Sequence, residues 1–258
     1  MVFITLAKRF PLKNFLIERS EEAKKLYIAH LSIDCVIFGF NNDVLKILLV
    51  RLKNSQLCSL PGGFLLKEEK NFDTAAARIL KSRTGAEDVF MAQFSSFSEY
   101  DRAGNTFKDY PDDFWNKQRF ITVGYYALVN FDTIIPVVDE ISDFCEWVDA
   151  DTIPAMIMDH KEIIDTALQT LRKEINYKPI GLNLLSSEFT MLELQRLYEA
   201  ILGIKLNRGN FYRKIISFDI LINLGKSQKE GVHKSSIFYR FDIDKYNEAV
   251  KNGFKQMW

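Results

Sequence analysis

The stretch Ser59-Leu60-Pro61-Gly62-Gly63-Phe64-Leu65, with the segment from Asn71 to Gly85 behind it, decides the fold of this 258-residue chain. The glycine pair permits positive φ and close approach of backbone to its neighbours, as a tight loop needs. Beyond it, Asn71 or Asp73 can cap a helix in which apolar Ala76, Ile79 and Leu80 recur at helical spacing. Gly85 is the stop. Within this frame Glu69 stands six residues past Gly63, and the helix carries Arg78.

Gly63, Glu69, Arg78 and Gly85 together resemble the core of a Nudix domain, a family that usually hydrolyses nucleoside diphosphates linked to another group. The resemblance implies a Nudix-like α/β/α sandwich with a mixed sheet, an α/β (α+β) fold. The glutamates that the family places on this helix fall here on Ile79, Ser82 and Arg83, with one residue inserted before Arg78; without the insertion they fall on Lys81 and Ser82. Magnesium is a hard cation held through carboxylate and phosphate oxygens, and neither register supplies carboxylates. The expectation is therefore a Nudix fold without catalytic residues, metal or cofactor, and not an enzyme. The competing expectation is a metal-dependent Nudix hydrolase of nucleoside diphosphate derivatives that recruits Glu68, Glu69, Glu87 or Asp88.

Upstream, Phe15 to Tyr27 suits an amphipathic helix or an ordered arm. Ser32 to Phe40 and Val44 to Arg51, separated by Asn41-Asn42-Asp43, read as a β-hairpin. Asp34 is a charge inside an apolar strand, which is costly unless paired; it can bond a ligand hydroxyl or take a structural partner such as a backbone amide or an arginine. Downstream, Val89 to Phe94, Ile121 to Val129 and Glu146-Trp147-Val148 are strand candidates. Between the first two lies a polar and aromatic insertion, 107–118, that is either a binding loop or a surface excursion. Asp159-His160 opens a helix to Lys173, with His160 a capping, packing or ligand group.

Asn176-Tyr177-Lys178-Pro179-Ile180-Gly181 punctuates the chain and divides it into an arm at 1–29, a Nudix-like domain at 30–175 and a further domain at 176–258. In the last, Thr190 and Glu193 form a capping box on a helix that ends at Gly203. A second helix, Asn207 to Ile216, follows, and Ile220 to Leu224 with Ile237 to Phe241 make a two-stranded wing. This is a winged helix-turn-helix outline. Asn207, Arg208, Arg213 and Lys214 are its candidate DNA contacts, with Lys226, Lys229, His233 and Lys234 in the wing; Phe211, Ile215 and Ile216 are assigned to the core.

Composition supports the division. Hydrophobic residues make up 47% of the chain, enough for a real core, and the net charge is zero. From Lys205 onward, however, eleven lysines and arginines stand against five aspartates and glutamates, so a basic end follows an acidic body, the footprint of a nucleic-acid module on something else. Cys35, Cys58 and Cys145 are odd in number, widely spaced and set among apolar residues, which argues for buried free thiols in a reducing compartment. With no membrane span and no signal peptide in view, the expected location is the cytoplasm.

The whole order, from Ile33-Asp34-Cys35-Val36 through Pro61-Gly62-Gly63-Phe64 and Asp159-His160 to Pro179-Ile180-Gly181, Phe189-Thr190 and Asn210-Phe211, resembles bacterial transcriptional regulators with a non-hydrolytic Nudix-like effector domain and a C-terminal winged helix. That resemblance implies a homodimer on palindromic operator DNA that answers a small effector, either a sugar such as arabinose or ADP-ribose. The sugar-utilisation branch, which controls sugar catabolism, is the nearer in wording. The implied effector pocket lies between sheet and helix, with Asp34, Arg51, Phe64, Arg83, Tyr126 and His160 as its candidate residues.

Overall fold

The structure, a computed structural model, describes residues 12–87, 89–104, 106–227 and 236–253. The chain divides into two compact units, one comprising Met1–Phe38, Ile47–Ala127 and Ile134–Ala167, the other Gly39–Lys46, Leu128–Thr133 and Leu168–Trp258. The punctuation at Asn176 to Gly181 thus falls inside the second unit, which also takes the C-terminal part of the preceding helix.

Helix α1 (Leu12–Leu26) runs without a loop into β1 (Tyr27–Asn41). β1 pairs with β2 (Val44–Leu52), and the turn between them places Asn42 at φ 50° and Asp43 at φ 63°, the left-handed pair that a two-residue hairpin turn demands. The sheet runs in the order β4-β5-β1-β2-β6, with β4 at Phe90–Phe97, β5 at Ile121–Leu128 and β6 at Ser142–Asp149. β1 is central, which is why Ser32 to Gly39 are all buried. A register shift between Tyr27 and Ser32 breaks the strand, and His30 sits there at φ 66°, the extra-residue geometry of a β-bulge.

Gly62–Leu66, read above as loop, is the sixth strand of this sheet, β3, antiparallel to β1 with Asp34 opposite Gly62 and Ser32 opposite Phe64. The glycines serve crowding rather than a turn. A Cβ at Gly62 would lie 2.4 Å from Asp34 Oδ1, and one at Gly63 would lie 3.1 Å from Ile79 Cδ1. Helix α2 (Phe72–Thr84) is capped by Asn71, whose side chain accepts from Thr74 N–H, and ended by Gly85 at φ 69°. It buries Ala75, Ala76, Ile79 and Leu80. Helix α3 (His160–Glu174) buries Ile163, Ile164, Ala167 and Leu171.

In the second unit, α4 (Met191–Leu202) begins with the expected capping box of Thr190 and Glu193 and ends at Gly203. Helix α5 (Arg208–Ser217) follows, then β8 (Leu221–Ser227) and β9 (Ser236–Phe241), with the short β7 (Phe189–Thr190) adding a third strand in the order β7-β9-β8. Helix α6 (Ile243–Asn252), capped by Asp242, completes it. Tyr198, Phe211, Ile215, Tyr239, Phe241 and Tyr246 are buried in this unit, whereas Ile216, assigned above to the core, is 41% exposed on α5. Among the described residues no helix is long and apolar enough to cross a membrane.

Candidate functional site

A cavity of about 360 Å³ opens in the first unit. Its floor is polar and comes from the strand alternation that sends Ser32 and Asp34 of β1 the same way. Asp34 is 7% exposed, and its partner is Arg102. That guanidinium donates to both Asp159 carboxylate oxygens at 2.8 Å, to Thr122 Oγ1 at 2.6 Å and to Asp34 Oδ2 at 3.4 Å. Arg102 is therefore a planar fork between two carboxylates, the use for which arginine is suited. Ser32 and Thr122 share a short hydroxyl contact beside it.

His160, at the start of α3, accepts the Leu60 amide at Nδ1 over 2.9 Å. The proton of the neutral ring is then on Nε2, which stands 3.8 Å from Asp34 Oδ1. Burial pushes the pKa of this imidazole down, overriding the pull of Asp34 and Asp159, so the ring is a neutral donor turned towards a carboxylate.

Glu69 and Arg78 lock the loop that precedes α2. Arg78 donates to Glu69 at 2.7 and 3.1 Å and to the Phe64 carbonyl at 2.8 Å, while Glu69 accepts the Leu66 amide at 2.9 Å. Burial disfavours the Glu69 charge, yet Arg78 and that amide outweigh it and hold the carboxyl below its usual range. This pairing supports the register with one inserted residue. Ile79, Ser82 and Arg83, which stand in the places the Nudix family gives to glutamates, all line the cavity. Arg83 is held by Asp139 at 2.5 Å. An aliphatic, a hydroxyl and a guanidinium do not fit a hard divalent cation. Among the described residues no three His, Cys, Asp or Glu side chains are grouped so as to hold a metal.

The roof is aromatic. Phe64 stacks obliquely on Phe120 at 5.1 Å and meets Trp115 edge-on at 5.4 Å, with Tyr27 alongside. Arg19 from α1, Arg78, Arg83 and Arg102 line the cavity, each paired with a carboxylate: Glu140, Glu69, Asp139, and Asp159 with Asp34.

Of the six residues picked from the sequence, Asp34, Phe64, Arg83 and His160 meet in this cavity. Arg51 and Tyr126 do not. Arg51 pairs with Asp143 at 3.0 Å and lies over the Phe144 ring; Tyr126 is fully buried between Phe90 and Phe94. Sequence reasoning passed over Arg19, Arg102 and Trp115, whose relation to Asp34 and Phe64 arises only when distant segments meet.

In the second unit α5 is the candidate nucleic-acid interface. Arg208, Asn210, Tyr212 and Arg213 are exposed on it. Asn207 is occupied as the N-cap, accepting from Asn210 N–H at 3.0 Å. Arg213 reaches the Asn210 side chain at 2.6 Å, and Lys214 stands 5.7 Å from the Phe218 ring. Lys229, His233 and Lys234 lie outside the described residues.

The NUDIX domain pattern matches residues 29–169, and that of the NrtR DNA-binding winged helix domain matches residues 181–241. An ADPR responsive transcriptional repressor NtrR of Acinetobacter baylyi is 29% identical over 223 residues, 84% of each chain. The crystal structure of Shewanella oneidensis NrtR complexed with a 27mer DNA aligns with a TM-score of 0.70 at 24% identity, over 88% of this chain and 99% of that one. A MutT/nudix family protein from Enterococcus faecalis aligns with a TM-score of 0.59 at 22% identity, over 83% of this chain and 88% of that one.

Proposed function

Because the chain belongs to the Nudix domain family and carries an NrtR-type winged helix domain behind its Nudix domain, we propose that it is a ligand-responsive transcriptional repressor whose Nudix domain senses ADP-ribose without hydrolysing it. The observation that carries this reading is the cavity itself. Four arginines and an aromatic wall surround the places where metal-binding glutamates belong. Arginine forks suit a diphosphate, flat rings suit an adenine, and the Asp34 and His160 pair suits ribose hydroxyls. A free sugar such as arabinose has no flat base for the aromatic wall, which favours the nucleotide over control of sugar catabolism. The A. baylyi relative, named as ADPR responsive, supports the same choice.

DNA is engaged through α5, where Arg208 and Arg213 reach base edges or phosphates and Lys214, Lys229 and Lys234 add phosphate contacts. Asn207 caps the helix and contributes through its backbone position. A homodimer in the cytoplasm would present two such helices about one DNA turn apart, ~34–36 Å, to a palindromic operator. ADP-ribose regulates only if it binds one arrangement of the dimer better than another, by a coupling of ~1–3 kcal/mol.

Fluorescence anisotropy of promoter fragments from around its own gene tests this. The chain should bind one of them at low salt, and ADP-ribose should weaken that binding by ~5- to 150-fold; no DNA binding, or indifference to ADP-ribose, would sink the reading. Incubation with ADP-ribose and Mg²⁺ or Mn²⁺ should leave the nucleotide intact by chromatography. Turnover there would replace the repressor with the hydrolase.

A further inference from the structure

Helix α1 precedes the segments matched by either family, since the Nudix match begins at residue 29. It is nevertheless fastened within the first unit, at its end by Lys67, which donates to the Lys24, Lys25 and Leu26 carbonyls, and along its length by the insertion 107–118. The Trp115 amide donates to the buried Ser20 hydroxyl at 2.8 Å, Lys24 pairs with Asp113 at 2.9 Å, and Lys13 donates to the Asp109 carbonyl at 2.5 Å. Ala23, Trp115 and Phe120 form one small apolar cluster, with Tyr27 and Phe64 against it. Helix and insertion are thus a single roof, and Arg19, Ser20 and Ala23 of α1 line the cavity beneath.

Two groups in this roof are not used up by the fold. The Arg19 guanidinium stands 3.7 Å from Glu140, an exposed and long ion pair with the Arg19 side chain 47% accessible, and 5.8 Å from the centre of the Phe15 ring on its own helix; at such exposure these contacts hold an arginine weakly. The Trp115 indole N–H is buried and among the described residues has no hydrogen-bond partner, and a buried donor of this kind calls for an acceptor.

We propose that α1 and the 107–118 insertion are part of the ligand site, with Arg19 contacting a phosphate of a nucleoside diphosphate and the Trp115 indole donating to one of its oxygens. This rests on the reading of the cavity as an ADP-ribose site and deepens it: the N-terminal helix becomes a binding element rather than an appendage. Arg19 and Trp115 then determine preference for a phosphorylated over a neutral ligand.

Calorimetric titration of the full chain with ADP-ribose tests the proposal. Arg19→Ala should weaken binding on the order of tenfold, the loss of one charge-assisted hydrogen bond, and Arg19→Lys should recover part of it. Trp115→Phe keeps the ring and removes the donor, and should weaken binding by roughly fivefold. Unchanged ligand-free DNA affinity in each variant verifies that the fold is intact. Wild-type binding that Arg19→Ala and Trp115→Phe both retain overturns this inference alone. Failure of the wild type to bind ADP-ribose overturns the functional reading together with it.

Discussion

Asp34 occupies the middle of a central strand, where an unpaired carboxylate would be expelled or neutralised. Arg102 makes it tolerable by serving Asp34 and Asp159 at once, with its own side chain only 3% exposed. Removing one partner of such a buried cluster leaves charge without compensation. Arg102→Leu should therefore cost about 3–5 kcal/mol, seen as a lower urea midpoint, and adding Asp34→Asn should restore part of the loss. Equal destabilisation in the single and double variants would contradict this. That Asp34 required a partner was legible from one charge in an apolar run. Which partner was not, because Arg102 lies 68 residues further along and no local pattern joins them. Gly62 is similar: the glycine was visible, while its cause, the Asp34 oxygen in the space a Cβ would fill, depends on strand pairing.

Between α4 and α5 the chain is held by Glu199. Its carboxylate accepts the Leu206 amide and the Gln195 side chain, both at 2.9 Å, and Lys205 at 3.0 Å. The Leu206 amide first, then Gln195 and Lys205, bring its pKa down to about 2. A depressed carboxyl stabilises the fold above its ordinary value and loses that effect as pH falls from there through about 2. Glu199→Gln should thus lower stability by about 1 kcal/mol at neutral pH, and the gap to wild type should close as unfolding is followed by circular dichroism down towards pH 2. A gap that stays constant with pH would count against the charge. At this scale the sequence was most readable, because caps are local: Asn71, Thr190 with Glu193, Gly85 and Gly203 all act within a few residues. Helix α6 was missed although Asp242 and Gly253 frame it. The strand β7 could not be found, since a two-residue strand exists only through its partner β9.

Across the whole molecule the charge balance of zero conceals a basic C-terminal stretch, and this predicts how DNA binding responds to salt. Each phosphate neutralised contributes about 0.9 to the slope of log affinity against log salt. Arg208→Ala, at the exposed start of α5, should lower that slope by about 1 per protomer, as read by anisotropy across a salt series; an unchanged slope would remove Arg208 from the interface. The two-part architecture was readable because punctuation, charge and helix pattern all change near the same place. The roof of the cavity was not, since α1 and the insertion look like independent surface segments until the fold lays one against the other. A last consequence follows from Cys35, Cys58 and Cys145, all free and all buried, with burial pushing each thiol up from its ordinary value. Since the thiolate is the nucleophile, maleimide should leave the native chain unmodified for minutes while urea-unfolded chain takes up one label per cysteine, counted by mass spectrometry. The wild-type protein is therefore already a blank background for dyes: one cysteine introduced on α1 and one on α5 can be tagged without first deleting any native residue, and the spacing of the two fluorophores followed as nucleotide is added.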